Sequence, residues 1–249
     1  MFRRLTLLLG LLFTSPAFAA VTTVCNWDTY TAGPAIATVS CTAGAAVSSG
    51  TLVAVFTNDS SIASGHGTVT DSKGNTYTFI TTAPVNGTPQ SAAFYSFVGT
   101  ALTTSDTITY TSPASASTTT AAIAVAAATG YNALDTATTA SASNGFSTTF
   151  SVTAAGSASV FNELYFGWVN TFSTPTITAS GWTSGTPTSP LTSMIAGYEV
   201  NSGSTPLTFS GTLAAGQWAG ALIVSFKPTG GGGGGGVIFH GLTTLGVGE

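Results

Sequence analysis

Asp106-Thr107-Ile108-Thr109-Tyr110 is the stretch whose reading decides the fold class. In an extended chain Ile108 and Tyr110 fall on one side and Thr107 and Thr109 on the other, the period-two alternation of a strand with one dry and one wet face. Pro206-Leu207-Thr208-Phe209-Ser210 and Phe146-Ser147-Thr148-Thr149-Phe150-Ser151-Val152 alternate in the same way. Outward from these lie apolar runs without alternation, Leu52 to Phe56, Ala92 to Val98, Ala121 to Ala128, Leu164 to Val169 and Ala219 to Phe226, which fit more deeply buried strands. Ala121 to Ala128 alone has the alanine content of a helix, but flanking threonines and Gly130 favour a strand. About a dozen such segments, separated by Gly, Pro, Asn and Ser turns, predict an all-β fold, a single antiparallel β-sandwich of jelly-roll or Ig-like kind.

The order of strands carries an echo. Leu52-Val53-Ala54-Val55-Phe56-Thr57-Asn58 returns as Leu164-Tyr165-Phe166-Gly167-Trp168-Val169-Asn170, and the segments that follow each return in the same order, with the offset shrinking along the chain. Two strand sets related by a pseudo-twofold, packed as one sandwich, would produce this pattern.

Three segments flank or precede the domain at 20–228. Residues 1–19 read as a secretory signal peptide: Arg3 and Arg4, an apolar run from Leu5 to Phe13, and a small-x-small site at Ala17-Phe18-Ala19 with cleavage before Ala20. Residues 229–236 form a linker whose seven glycines, Gly230 to Gly236, reach about 15 Å as a flexible coil. Residues 237–249 are a short apolar tail, suited to docking as an added strand on another copy or another surface protein, or to serving as an anchor or sorting signal.

Composition excludes whole classes of function. After cleavage Lys73 and Lys227 face eight carboxylates, a net charge of −6 with no arginine. Such a chain has no basic footprint for nucleic acid or for anionic lipid. Charged residues are 5% of the chain against about 25% in ordinary soluble domains, so Thr, Ser, Asn and Gly must keep the surface wet. Cys25 and Cys41 are the only cysteines, and in an oxidising compartment they are expected to pair as a disulfide.

The residues with chemical potential are few. Asp71-Ser72-Lys73-Gly74-Asn75-Thr76-Tyr77 reads as a tight turn between strands; its alternative is a calcium site built from Asp71 and Asn75 with Asp59 or Asn58. Glu163 and Glu199 lie on strand segments and are the one carboxylate pair that could serve glycoside hydrolysis. His66 and His240 have no partners in the sequence suggesting a nucleophile or a metal. Trp182, in Ser180-Gly181-Trp182-Thr183-Ser184-Gly185, is the candidate ring for stacking a sugar, whereas Trp168 and Trp218 read as core.

Gly50-Thr51-Leu52-Val53-Ala54-Val55, Val69-Thr70-Asp71-Ser72-Lys73-Gly74-Asn75-Thr76-Tyr77, Ala93-Phe94-Tyr95 and Trp218-Ala219-Gly220-Ala221-Leu222-Ile223-Val224-Ser225-Phe226-Lys227-Pro228 together resemble a group of uncharacterised exported bacterial β-sandwich proteins. The resemblance implies a jelly-roll or Ig-like surface protein and carries over no catalytic residue. The expected function is non-enzymatic, in adhesion, surface assembly or glycan contact, with a carbohydrate-binding module and a glycoside hydrolase as alternatives.

N-terminal sequencing of the secreted chain is expected to begin at Ala20. A mature chain still beginning at Met1 would overturn the export signal.

Overall fold

The computed structural model describes residues 21–31, 38–59, 65–85, 88–113, 119–171, 175–184, 193–201 and 203–230. The signal segment with its Ala19/Ala20 junction, the glycines from 231 and the tail 237–249 lie outside the described residues. The strands in chain order are β1 (Val21–Thr31), β2 (Thr38–Thr42), β3 (Leu52–Asp59), β4 (Thr68–Asp71), β5 (Thr78–Val85), β6 (Thr88–Phe97), β7 (Thr107–Thr111), β8 (Thr119–Ala128), β9 (Tyr131–Thr153), β10 (Glu163–Thr171), β11 (Pro175–Ile177), β12 (Thr183–Ser184), β13 (Ser193–Asn201) and β14 (Thr208–Pro228). The fold is all-β and its sheets are antiparallel, as the alternation predicts.

The first half forms a five-stranded sheet, β1-β8-β3-β6-β5, and a three-stranded sheet, β2-β7-β4. First pairs with eighth, second with seventh and third with sixth, the roll-up of a jelly roll. The second half repeats the scheme with longer strands. β14 pairs with β9 from end to end, then with β10 through its C-terminal part and with β11 through its N-terminal part, while β13 and β12 complete the sheet. Thus β9 stands for β1 and β2, and β14 for β7 and β8. The two long strands bend from one layer into the next through register shifts between Thr212 and Ala219.

The sandwich has one more level than the sequence implied. Each strand set encloses its own core, and the two larger sheets then pack face to face, giving four layers. On β3, Val53 and Val55 face the core of the first roll, while Leu52, Ala54 and Phe56 face the second roll. On β10, Tyr165 and Val169 face the core of the second roll, and Leu164, Phe166 and Trp168 face the first. Strands buried on both faces have no wet side, so their sequences lose the alternation and read as unbroken apolar runs. The alanines of β8 follow the same logic: Ile123, Val125 and Ala127 line one core, Ala122, Ala124 and Ala128 the interface.

Equivalent residues meet at the interface. Phe56 stacks on Trp168 with centroids 5.2 Å apart and planes at 16°. Two residues further along each strand, Asn170 Nδ2 donates to Asn58 Oδ1 at 2.8 Å, buried. Like meeting like is what a twofold axis through β3 and β10 requires.

The disulfide joins Cys25 on β1 to Cys41 on β2 and so ties the two sheets of the first roll together. With a sequence separation of 16 between the cysteines it stabilises the roll by about 3 kcal/mol through the chain entropy it removes from the unfolded state. One core expectation fails: Trp218 is 37% exposed, with its ring edge-on to the still more exposed Phe146. It lies in the bend of β14, where the alternation is interrupted, so the apolar run that begins at Ala219 does not extend to it.

Phe56→Ala and Trp168→Ala are each expected to cost about 3–5 kcal/mol in denaturant unfolding. Their double mutant should lose clearly less than the sum, because both remove the same stack. Strictly additive losses would mean that the two rings do not support each other.

Candidate functional site

Glu163 opens β10 and has no exposed surface. Its Oε1 accepts the Ser159 and Val160 amides at 2.9 and 3.3 Å and the Ser159 hydroxyl at 2.8 Å; its Oε2 accepts the Ser225 hydroxyl at 3.1 Å. The Ser159 hydroxyl also lies 2.6 Å from Asp135 Oδ2, and Lys227 Nζ is 3.6 Å from that same oxygen. Burial pushes the Asp135 carboxyl up, but hydrogen bonding with Ser159 and Glu163, the Ala137 amide and the Lys227 charge outweigh it and leave Asp135 below the usual carboxylate range. Sequence inspection missed Asp135 and Ser159, since nothing in an Asp near a turn and a Ser in a loop announces that they converge.

The first roll handles the same place differently. Thr22 pairs with Ala127 as Asp135 pairs with Ser225, and Thr51 precedes β3 as Glu163 begins β10. There Thr22, Val47, Ser48, Thr51 and Ala127 line a cavity of about 100 Å³. The carboxylate cluster occupies in the second roll a space that the first leaves open.

Glu199 lies opposite Tyr165, and Asn201 opposite Glu163, so the two glutamates share one face as diagonal neighbours on adjacent strands. The expected pair is therefore brought together, but Glu163 is spent on the loop that precedes it. Glu199 is half-buried, and its Oε2 has no hydrogen-bond partner. Burial pushes its carboxyl up. Gly181, with φ of 90°, arches over it so closely that a Cβ there would lie 2.8 Å from Glu199 Oε1.

Trp182 does not offer an open ring. Its indole Nε1 donates to the Thr208 carbonyl at 3.0 Å, and its ring tilts against Phe209 with centroids 4.9 Å apart. The small residues around it suggested exposure; the second roll instead uses the ring as a lid over its core.

Asp71 is consumed by its own turn. Oδ1 accepts the Lys73 and Asn75 amides, and Oδ2 accepts Asn75 Nδ2 and the Tyr77 hydroxyl, all between 2.9 and 3.1 Å. Asn75 completes the lock by exchanging two bonds with the backbone of Thr100. Asp59 accepts the buried Tyr110 hydroxyl at 3.0 Å on β3. A calcium ion at Asp71 and Asn75 would have to displace the donors that form the turn, and among the described residues no group of three His, Cys, Asp or Glu could hold a metal. Asp106, holding the neighbouring loop, accepts Ser72, Thr103 and Lys73, with the Ser72 hydroxyl and the Thr103 amide chiefly keeping it below the usual carboxylate range.

A larger open feature lies at the other edge of the first roll. β4 ends the three-stranded sheet and β5 ends the five-stranded sheet; between these edges lies a groove of about 330 Å³. Its floor is Phe79 and Phe94, its walls include Thr68, Thr70, Thr76 and Tyr77, and His66 stands over Phe79, stacked at 3.9 Å and 10°. Burial, with the Asp71 carboxylate beside it, holds the Tyr77 phenol above its usual range.

No family model, curated protein or solved structure matches the chain.

Because the folded state favours protonated Glu199, its contribution is fully present below the unfolded carboxyl value and declines as pH rises through the raised folded one. Glu199→Gln should therefore melt higher than the parent at about pH 7 and together with it near pH 3. Identical melting at both pH values would show that burial costs the ionised form nothing.

Proposed function

We propose that the protein is an exported, non-catalytic surface-assembly module whose copies join along the outer edge of β9. The observation that carries this reading is the character of that edge. β9 is 23 residues long, and among the described residues it pairs only with β14. From Ala140 to Phe150 it contains no proline and no charged residue. Natural sheets guard exposed edges with lysine, proline, inward charges or very short strands, because unpaired amides and carbonyls otherwise recruit another strand. Beside this stretch stand Phe146, 67% exposed, and Trp218, an apolar anchor pair at the bend where the Thr149 and Ser151 amides are taken by Ser147 and Asn144, leaving the straight run from Ala140 to Ser143 as the outer edge that no described strand pairs. Strand addition uses this combination: backbone bonds for affinity, side-chain contacts for register.

The strand supplied is the tail 237–249 of a neighbouring copy. β14 ends at Pro228 opposite Tyr131, the first residue of β9, so the glycine tether departs beside the edge it would serve. Its apolar sequence, uncharged until the final Glu249, suits an added strand, and a tether reach of about 15 Å allows exchange between copies. The Cys25–Cys41 disulfide fits an oxidising compartment, and among the described residues no helix is long and apolar enough to cross a membrane.

Light scattering on the mature chain is expected to show oligomers that disappear on deletion of residues 230–249 and, separately, on Ser143→Lys, which places a charge on the exposed edge. Oligomers that survive both changes, or a parent that is monomeric at high concentration, would rule out assembly through this edge.

A further inference from the structure

The two rolls differ most where they should be alike. Thr78 opposite Tyr95 and Thr183 opposite Tyr198 occupy matching places at the start of β5 and β12, so Tyr77 and Trp182 are counterparts. Trp182 turns inward, onto Phe209, and closes the edge of the second roll. Tyr77 also packs against its own core, but its hydroxyl is held by Asp71 and its ring forms a wall of the groove, which stays open over Phe79 and Phe94. One copy of the edge is filled and the other is kept empty.

We infer that the groove between β4 and β5 is a binding site for a neutral saccharide. Its volume of about 330 Å³ lies at the lower end of ligand pockets, which run from about 300 to 1,000 Å³. That suits the end of an oligosaccharide. The polar groups facing it are hydroxyls: among the described residues Thr68, Thr70 and Thr76 make no side-chain hydrogen bond within the protein, and Thr68 and Thr70 are exposed. His66 adds an acceptor. Its Nδ1 lies 2.8 Å from the Gly67 carbonyl, which can only accept, so Nδ1 carries the hydrogen and Nε2 is left bare toward solvent.

The charges point the same way. The nearest cation, Lys73, is engaged by Asp106 at 3.4 Å, and the carboxylate behind the wall is Asp71. An anionic ligand would meet repulsion and no partner. A ligand with hydroxyls on its rim and C–H groups on its faces meets threonines, a ring acceptor and the face of the His66–Phe79 stack, whose aromatic faces carry negative quadrupole. This site is separate from the β9 edge and does not depend on assembly there.

The test is calorimetric titration of the mature chain with neutral hexoses and their linear oligomers, with hexuronates and an extended uncharged peptide as comparisons, followed by amide shift mapping. Neutral oligosaccharides are expected to bind and to shift amides between His66 and Phe79. Affinity should fall about tenfold or more in His66→Ala and be abolished in Thr70→Trp, which fills the groove, with melting temperatures unchanged because both positions are exposed. Absence of binding by every neutral saccharide, binding that is unaltered in both variants, or tighter binding of the hexuronate or the peptide would each overturn the assignment.

Discussion

The contact between β3 and β10 is the constraint from which the rest follows. Phe56 on Trp168 and Asn58 to Asn170 place like residues against each other in a dry interface. That makes β3 and β10 apolar on two faces, and the wet surface of the protein is left to the three-stranded sheet, much of β9, the edges and the loops. It also fixes register. A slide of either strand by one residue would turn its interface set toward its own core, and an amide in a dry layer has few alternative partners.

Polar chemistry is correspondingly sparse and spent on architecture. Asp71, Asp106 and the Asp135–Ser159–Glu163 group each organise a turn or a loop junction. Where other sheets use cross-strand ion pairs, this one pairs hydroxyls: Ser40 with Thr109 at 2.7 Å, Thr153 with Thr208 at 2.9 Å, Thr138 with Ser225 at 2.6 Å. Such contacts are indifferent to salt, which screens only charges. A fold held this way suits surroundings whose ionic strength is not controlled.

Strand content, the disulfide and the repeat were legible in the chain because each rests on local pattern or simple count. Ile108 and Tyr110 alternate, two cysteines have one possible pairing, and Leu52 to Asn58 returns at Leu164 to Asn170. The number of layers was not legible. An unbroken apolar strand shows that both faces are covered, but the second cover of β3 is β10, more than a hundred residues away. The same distance hides the carboxylate cluster and the groove. Trp182 and Trp218 depart from their expected places for local reasons: small neighbours look like a loop, yet Trp182 rests on Phe209 and Thr208, and an apolar run looks like a core, yet Trp218 sits at the bend of β14.

The buried amide pair leaves one loose end. Asn170 donates to Asn58, and the Asn170 Oδ1 has no partner, so the two sides of the axis are already unequal at its centre. In a homodimer every substitution is made twice, and a change that helps one side must be endured on the other. Here the two halves are one polypeptide, and each position is inherited independently. The covalent link therefore permits a division of labour that symmetry would forbid: one roll can close its edge with Trp182 for strength while its twin keeps the same edge open.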